Sequence, residues 1–351
     1  MLEGNRADSS RFPAENRGRR GRFMNLLRKE DMGMCDIVAL GESLIDFTPA
    51  GKNGLGMALF ARNPGGAPAN AMAMAARLGR KTAFIGKVGD DDFGRFLVAS
   101  VAAAGVDVSG MVKTREAPTT LAFVQLDENG DRSFSFYRRP GADICLRADE
   151  VKKELLEDCA IFHFGSVSLT DEPCRGATLE SAGAAKRAGA LVSFDPNYRP
   201  PLWGDEQRAK REMLAALPLA DLVKVSGEEM ALLTGETDPR AGAEKLASRG
   251  AVLVAVTLGP RGSFYRTERA NGFVPARRVE AVDTTGAGDA FWGALLSRIC
   301  GKTRERLRAV PASEWESAFA FANAAGTLTV TKAGAIPAMP SLREVEAFAA
   351  G

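Results

Sequence analysis

Short runs of consecutive apolar residues alternate with alanine-rich segments from residue 36 to residue 330, and this alternation limits the fold more than any other feature. The runs Asp36–Leu40, Thr82–Val88, Ala160–Phe164, Ala190–Phe194, Asp221–Val225 and Ala251–Leu258 read as buried strands. Between them lie helical segments at Pro68–Leu78, Phe93–Ala104, 174–188, Ala287–Cys300 and Glu314–Val330. Pro68 suits a first helical turn, while Gly79 and Gly105 follow last turns. Strands alternating with helices predict an α/β fold, with a central, mostly parallel sheet flanked by helices on both faces.

The pattern changes between about 107 and 138. Thr119–Leu126 alternates weakly, the segment at 128–131 supplies a turn, and Arg132–Arg138 alternates strictly. That reads as a half-covered antiparallel hairpin, and a hairpin inserted into a βα array suggests a lid. The expected lid strands span about 44–60 and 107–138. Residues 1–34, rich in Arg, Gly and Asn, read as a disordered extension ahead of a domain at 35–351. No apolar region follows the charges there, so the leader is not a secretory signal, and Glu3, Asp8, Glu15, Glu30 and Asp31 count against a transit peptide.

Composition excludes several classes. Lys plus Arg number 46 against 44 Asp plus Glu, which argues against a nucleic-acid or membrane-surface partner. No apolar stretch reaches the length of a membrane span. Five cysteines without a C-x-x-C pair fit a reducing cytoplasm. The single histidine, His163, lies in an apolar run and reads as a core residue, and one histidine makes a multi-histidine zinc site impossible.

Chemistry concentrates in two segments. In Asp283–Phe291, two glycines and an alanine lead straight into an apolar helix, which lets backbone N–H groups face an anion. Asp289 stands where a general base would take a proton from an attacking hydroxyl, or else is an acid favoured by an ordinary helix start. In Asn63–Asn70, Gly65 and Gly66 permit close approach of a polar ligand, and Asn70 offers a donor and an acceptor to hydroxyls. A plain turn before a helix is the alternative. Gly301-Lys302-Thr303 is no phosphate-binding Walker loop, because Leu296 occupies the position of its first glycine.

GGAPAN followed by LGRKTAFIGKVGDDDFG resembles the N-terminal signature of the PfkB/ribokinase family of carbohydrate kinases, and DTTGAGDAFWGALL resembles the C-terminal one. The likeness runs from about Cys35 to the C-terminus. It implies a ribokinase-like sheet with a small β-sheet lid over the sugar. It also implies that Asp289 activates the sugar hydroxyl and that Gly286, Ala287 and Gly288 form the anion hole. Asp46, Gly65, Gly66, Asn70 and Arg138 then bind sugar, and Arg199 stabilises phosphate charge. Asn197, Thr257, Gly259, Gly262 and Asn323, with Gly286 and Gly288, border ATP. Glu229 helps to hold Mg²⁺ through water, although Ser226 stands where many members have Asn. Asp283 and Thr285 match a loop that holds K⁺ in some members.

The GGAPAN stretch, the segment GDRSFSFYRRPGAD and the chain's ending look most like those of fructokinases. The resemblance therefore implies an ATP-dependent enzyme making fructose 6-phosphate, with a homodimer formed through the lid. 2-Keto-3-deoxygluconate kinase and aminoimidazole riboside kinase are the alternatives. A non-catalytic PfkB-like interaction protein is the alternative from another class, and the intact Asp289 speaks against it.

Overall fold

The computed structural model describes residues 35–126 and 132–350. The leader 1–34 and the expected turn at 128–131 lie outside the described residues. In chain order the strands are β1 (Ile37–Leu40), β2 (Leu44–Lys52), β3 (Ala58–Gly65), β4 (Thr82–Gly89), β5 (Val106–Thr114), β6 (Leu121–Leu126), β7 (Arg132–Tyr137), β8 (Ile161–Gly165), β9 (Leu191–Asp195), β10 (Leu222–Ser226), β11 (Leu253–Thr257), β12 (Gly262–Thr267) and β13 (Asn271–Pro275). The helices that matter below are α1 (Ala67–Arg77), α2 (Asp92–Ala103), α3 (Cys174–Ala188), α4 (Gly227–Thr234), α5 (Ala287–Ile299) and α6 (Ala312–Thr329).

Nine strands form one sheet in the order β13-β12-β11-β10-β9-β8-β1-β4-β5. Pairing is parallel from β11 through β5, and antiparallel only at β11–β12 and β12–β13. Each run is apolar at successive positions because both faces are covered. Ile37 and Ala39 enter the core shared with α1, α5 and α6, while Val38 and Leu40 enter the core shared with α3. The predicted strands and helices all occur, within a few residues of their expected ends.

β2, β3, β6 and β7 form a separate four-stranded sheet, ordered β3-β2-β6-β7. The expected lid is corrected at one place: Val106–Thr114 is not part of it. That strand follows α2 and pairs parallel with β4, from Thr82↔Val106 to Gly89↔Thr114, as the edge of the large sheet. An edge strand is only partly covered, which weakened its apolar pattern in the sequence.

His163 is a core residue. Its Nδ1 lies 2.9 Å from Ser193 Oγ, which also accepts the indole N–H of Trp292 at 2.9 Å. Burial pushes the imidazole down to about 3, so the ring is neutral.

The carboxyl ends of parallel strands are the ligand edge of such a sheet. Here α1 and α5 start at that edge and pack side by side, and Gly293 sets their separation. A Cβ at Gly293 would collide with the carbonyl oxygen of Ala71. Gly293 lies one turn beyond Asp289, and Ala71 follows Asn70, so the contact fixes the distance between those two side chains. We expect Gly293→Ala to destabilise the fold by about 1–3 kcal/mol through overpacking, even though alanine favours a helix by roughly 1 kcal/mol over glycine. Urea unfolding checks this, and unchanged stability would refute the close contact.

Candidate active site

The start of α5 forms the floor of the site. Gly286, its N-terminal cap, has φ 77°, and a Cβ there would come within 2.7 Å of Ala335 Cβ, so only glycine fits. Asp289 follows in the first turn and is buried. Asn70 Nδ2 donates to its Oδ2 at 2.8 Å, and Asn197 Nδ2 donates to its Oδ1 at 3.3 Å. Burial raises the Asp289 pKa against the opposing pull of the Asn70 bond, Lys224, Arg199 and Asn197. The carboxylate is thereby oriented by two amides and held at a raised basicity.

Asn197 adopts a left-handed conformation, φ 43°, which asparagine tolerates better than most residues. Its N–H donates to Asp195 Oδ1 at 3.2 Å. Lys224 Nζ donates to Asp195 Oδ2 at 2.8 Å, and both side chains are buried. Burial raises the Asp195 pKa to about 6 despite the lysine. Lys224 was missed in the sequence reading, although its signal was visible: an ammonium inside the apolar run Leu222–Val225.

Asp46 approaches from the small sheet. It lies opposite Asn63 in the β2–β3 register, and its Oδ2 occupies the space that a Cβ on Gly65 would need. Burial, with Asp289 and Asp283 reinforcing and Arg199 opposing, raises its pKa to about 7. Gly66, φ 115°, brings the chain against the backbone of Glu42. Glu42, also missed, accepts the Ala67 N–H on Oε1 at 2.9 Å, while its Oε2 is buried without a protein partner.

Two cavities meet here. The larger, about 800 Å³, is lined by Glu42, Asp46, Asn70, Arg199, Glu229 and Asp289 among others. The second, about 610 Å³, runs past Gly259, Pro260, Gly262, Val279, Phe291 and Asn323. Thr257, Thr284 and Gly288 line both, so the start of α5 is their junction.

Several expected ligands have other employment. Arg138 does not line the larger cavity. It is buried against Asp143, with Nε donating to Oδ2 at 2.8 Å, Nη1 to Thr170 Oγ1 at 2.7 Å and Nη2 to the Val167 carbonyl at 3.0 Å. The expected sugar contact is corrected accordingly: each of its three guanidinium nitrogens bonds inside the protein, and none lines the larger cavity. Asn323 lines the second cavity, yet its Oδ1 accepts from Ser263 Oγ at 2.9 Å and its Nδ2 donates to the Val274 carbonyl at 2.9 Å. Its amide ties α6 to the edge strands. Asp283 accepts the N–H groups of Thr285 at 2.8 Å and Gly334 at 2.9 Å, which orders the loop before α5.

Glu229 accepts the Tyr198 N–H on Oε1 and the Ser226 N–H on Oε2, each at 2.7 Å. Ser226 Oγ accepts the Glu229 N–H at 3.1 Å, completing a capping box on α4. This gives Ser226 a structural reason to stand where an asparagine was expected. No group of three or more His, Cys, Asp or Glu among the described residues is arranged to hold a metal ion by itself.

A mostly parallel sheet with a second sheet at its ligand edge, and two cavities joined at a glycine-rich helix start, define the ribokinase-like class. The chain belongs to the pfkB family of carbohydrate kinases, matched over residues 34–342, and is an ATP-dependent carbohydrate kinase. It is 46% identical over 315 residues to fructokinase-1 of Zea mays, covering 88% of this chain and 96% of that protein. It is similar in structure to a fructokinase from Xylella fastidiosa with bound ATP, at TM-score 0.83 and 39% identity, over 89% of this chain and 98% of that one. A fructokinase from Vibrio cholerae O395 holding fructose, ADP and calcium matches at TM-score 0.79 and 33% identity, over 90% and 99% of the two chains.

Glu42 supplies a test of the site's electrostatics. Its pKa is raised by burial from 4.5 to about 7. The folded protein therefore binds a proton that the unfolded chain releases between those values, and stability falls as pH rises through that window. Glu42→Gln cannot ionise. We expect its stability relative to the parent to rise from pH 5 to pH 8, by at most about 3 kcal/mol. Denaturant unfolding at both pH values checks this, and a pH-independent difference would contradict it.

Proposed function

We propose that this kinase phosphorylates fructose on its 6-hydroxyl, with Asp289 as general base. The observation carrying this reading is the Asp289 carboxylate, buried between Asn70 and Asn197 at the glycine-rich start of α5 where the two cavities join. Sugar occupies the larger cavity, with Asp46 and Asn70 on its hydroxyls. The nucleotide lies across the second, bordered by Thr257, Gly259, Gly262 and the wall that Asn323 braces. Asp289 takes the hydroxyl proton as the sugar oxygen bonds to the γ-phosphorus. The bond from that phosphorus to the β,γ-bridging oxygen breaks, and its electron pair leaves with ADP. Backbone N–H groups at Gly286 and Gly288 meet the growing charge, joined by that of Ala287 when it leaves the Thr284 carbonyl, to which it donates at 3.4 Å, and Arg199 adds a cation beside them.

Mg²⁺ fits this site only as an ion held chiefly by phosphate oxygens and water, with Glu229 as its outer partner. Both Glu229 oxygens already accept backbone N–H groups, and their remaining lone pairs suit bound water. The ion supplies neutralisation of phosphate charge. K⁺ at the Asp283–Thr285 loop fits through backbone carbonyls, because the Asp283 oxygens already hold Thr285 and Gly334.

A homodimer through the small sheet is supported by its aromatic face. Phe123 stacks on Phe47 at 4.8 Å and meets Tyr137 at 5.6 Å, and Tyr137 is 65% exposed. A second copy of this face would cover it, and sedimentation reads the outcome: a monomer at micromolar concentration removes the dimer. A cytoplasmic location is supported by five free cysteines.

Asp289→Asn is expected to lower kcat by about 10²-fold or more while sugar and ATP still bind. In the parent, kcat/KM should fall towards acid pH with a midpoint above the ordinary aspartate value of 3.8, since burial raises the group. Near-normal turnover by the Asn variant would remove Asp289 as base.

Fructose should outcompete 2-keto-3-deoxygluconate. The latter's carboxylate needs a cation; of Arg138, Arg139 and Arg199 only Arg199 lines the larger cavity, and Arg138 is committed to Asp143. A direct competition assay decides. Preference for ketodeoxygluconate by roughly tenfold, about 1.4 kcal/mol of transition-state energy, would replace fructose as the substrate.

A further inference from the structure

The buried lysine at the cavity junction has no assigned role, and its surroundings give it one. Lys224 lies near the carboxyl end of β10, on the face that meets the start of α5. It lines the larger cavity while remaining only 5% exposed. Its Nζ stands 3.2 Å from where a Cβ on Gly288 would lie, directly against the backbone turn where the cavities join. An ammonium has three N–H donors. Asp195 takes one, and no other acceptor among the described residues takes the remaining two.

A buried ion pair alone is a poor reason for this arrangement. Desolvating both charges costs about as much as their attraction returns, and apolar replacements are often neutral or better. The pair also stands in a cavity that must receive an anion. Burial disfavours the ammonium, but Asp195, Glu229 and Asp289 outweigh it, so Lys224 stays charged with its pKa above the ordinary lysine value. Gly288 leaves the lysine head open to whatever reaches the helix start; a side chain there would stand between them.

We propose that Lys224 is a further catalytic residue, donating its free N–H groups to the phosphoryl group in transit from ATP to the sugar. This rests on the reading that the α5 start is the phosphoryl-transfer site. Lys224 transfers no proton: Asp289 takes the hydroxyl proton, the new O–P bond forms, the bond to the β,γ-bridging oxygen breaks, and ADP leaves with the electron pair. Lys224 binds the equatorial oxygens while their charge spreads, more tightly at the transition state than before or after it. Asp195 holds the ammonium in place, which makes Asp195 a positioning residue.

The test must separate action on the phosphoryl group from mere neutralisation of Asp195. Lys224→Met alone does not, because it strands a buried carboxylate. The double variant Asp195→Asn with Lys224→Met removes both charges together. We expect it to melt near the parent temperature and to bind ADP within about threefold. It should lose about 10²-fold in kcat and in affinity for ADP–aluminium fluoride with fructose, a mimic of the phosphoryl in flight. Recovery of kcat and mimic affinity to within tenfold of the parent would overturn the proposal, leaving Lys224 as a counter-ion.

Should that variant not fold, Lys224→Arg reads the same distinction. It keeps the charge but misplaces the donors, so the mimic should weaken by about tenfold relative to ADP. Equal effects on both ligands would overturn the proposal. Failure of the underlying reading looks different: Asp289→Asn would then turn over normally, whatever Lys224 does to mimic binding.

Discussion

Two helices from distant parts of the chain meet where Gly293 lies against the carbonyl of Ala71, and the geometry of the site depends on that contact. α1 carries Asn70 and α5 carries Asp289, so the helix separation sets the 2.8 Å bond between them. A side chain at residue 293 would push the helices apart by part of an ångström or more. A hydrogen bond weakens steeply over such distances. The glycines that matter most here, Gly65, Gly286 and Gly293, all allow close approach, to Asp46, Ala335 and Ala71 in turn.

The second constraint is electrostatic. Glu42, Asp46, Asp195 and Asp289 crowd the ligand edge of the sheet, and burial raises the pKa of each. Such a group of acids is costly to fold, and it stands at the place proposed for the most anionic ligand. The arrangement works because the charges are sorted by position. Glu42 and Asp46 line the larger cavity, proposed for the sugar, while Asp195 sits with Lys224, and Asp289 stands at the start of α5. The glycine-rich helix start, Lys224 and Arg199 line one cavity, on the path proposed for the phosphate, and Asp195 favours the charged ammonium. Cavities that are polar at one end and apolar at the other suit a small polyol beside a nucleotide.

Much of this was legible in the chain. Apolar runs bounded by proline and glycine gave strand and helix positions because both signals are local: burial on two faces needs unbroken apolarity, and proline and glycine restrict or free the backbone where they stand. The glycine-rich segment at 283–291 marked a candidate anion site because small residues at a helix start leave backbone N–H groups uncovered by side chains. Lys224 was legible in principle, as a charge that an apolar strand does not tolerate without a partner.

What the sequence by itself determined is therefore the alternation of strands and helices, the family, and the helix start that carries Asp289. Only the tertiary structure decided what the long polar side chains do. Arg138 read as a sugar ligand through the family resemblance, but Asp143, Thr170 and Val167 surround it. Asn323 lines the second cavity, where a nucleotide contact was expected, but its amide is held by Ser263 and Val274. Strand β5 read as lid and proved to be a sheet edge. The physical reason is common to all three. Backbone conformation and burial follow patterns a few residues long, whereas the partner of a buried donor or the neighbour of a strand is chosen among residues far away in the chain, and only the packed fold brings them within bonding distance.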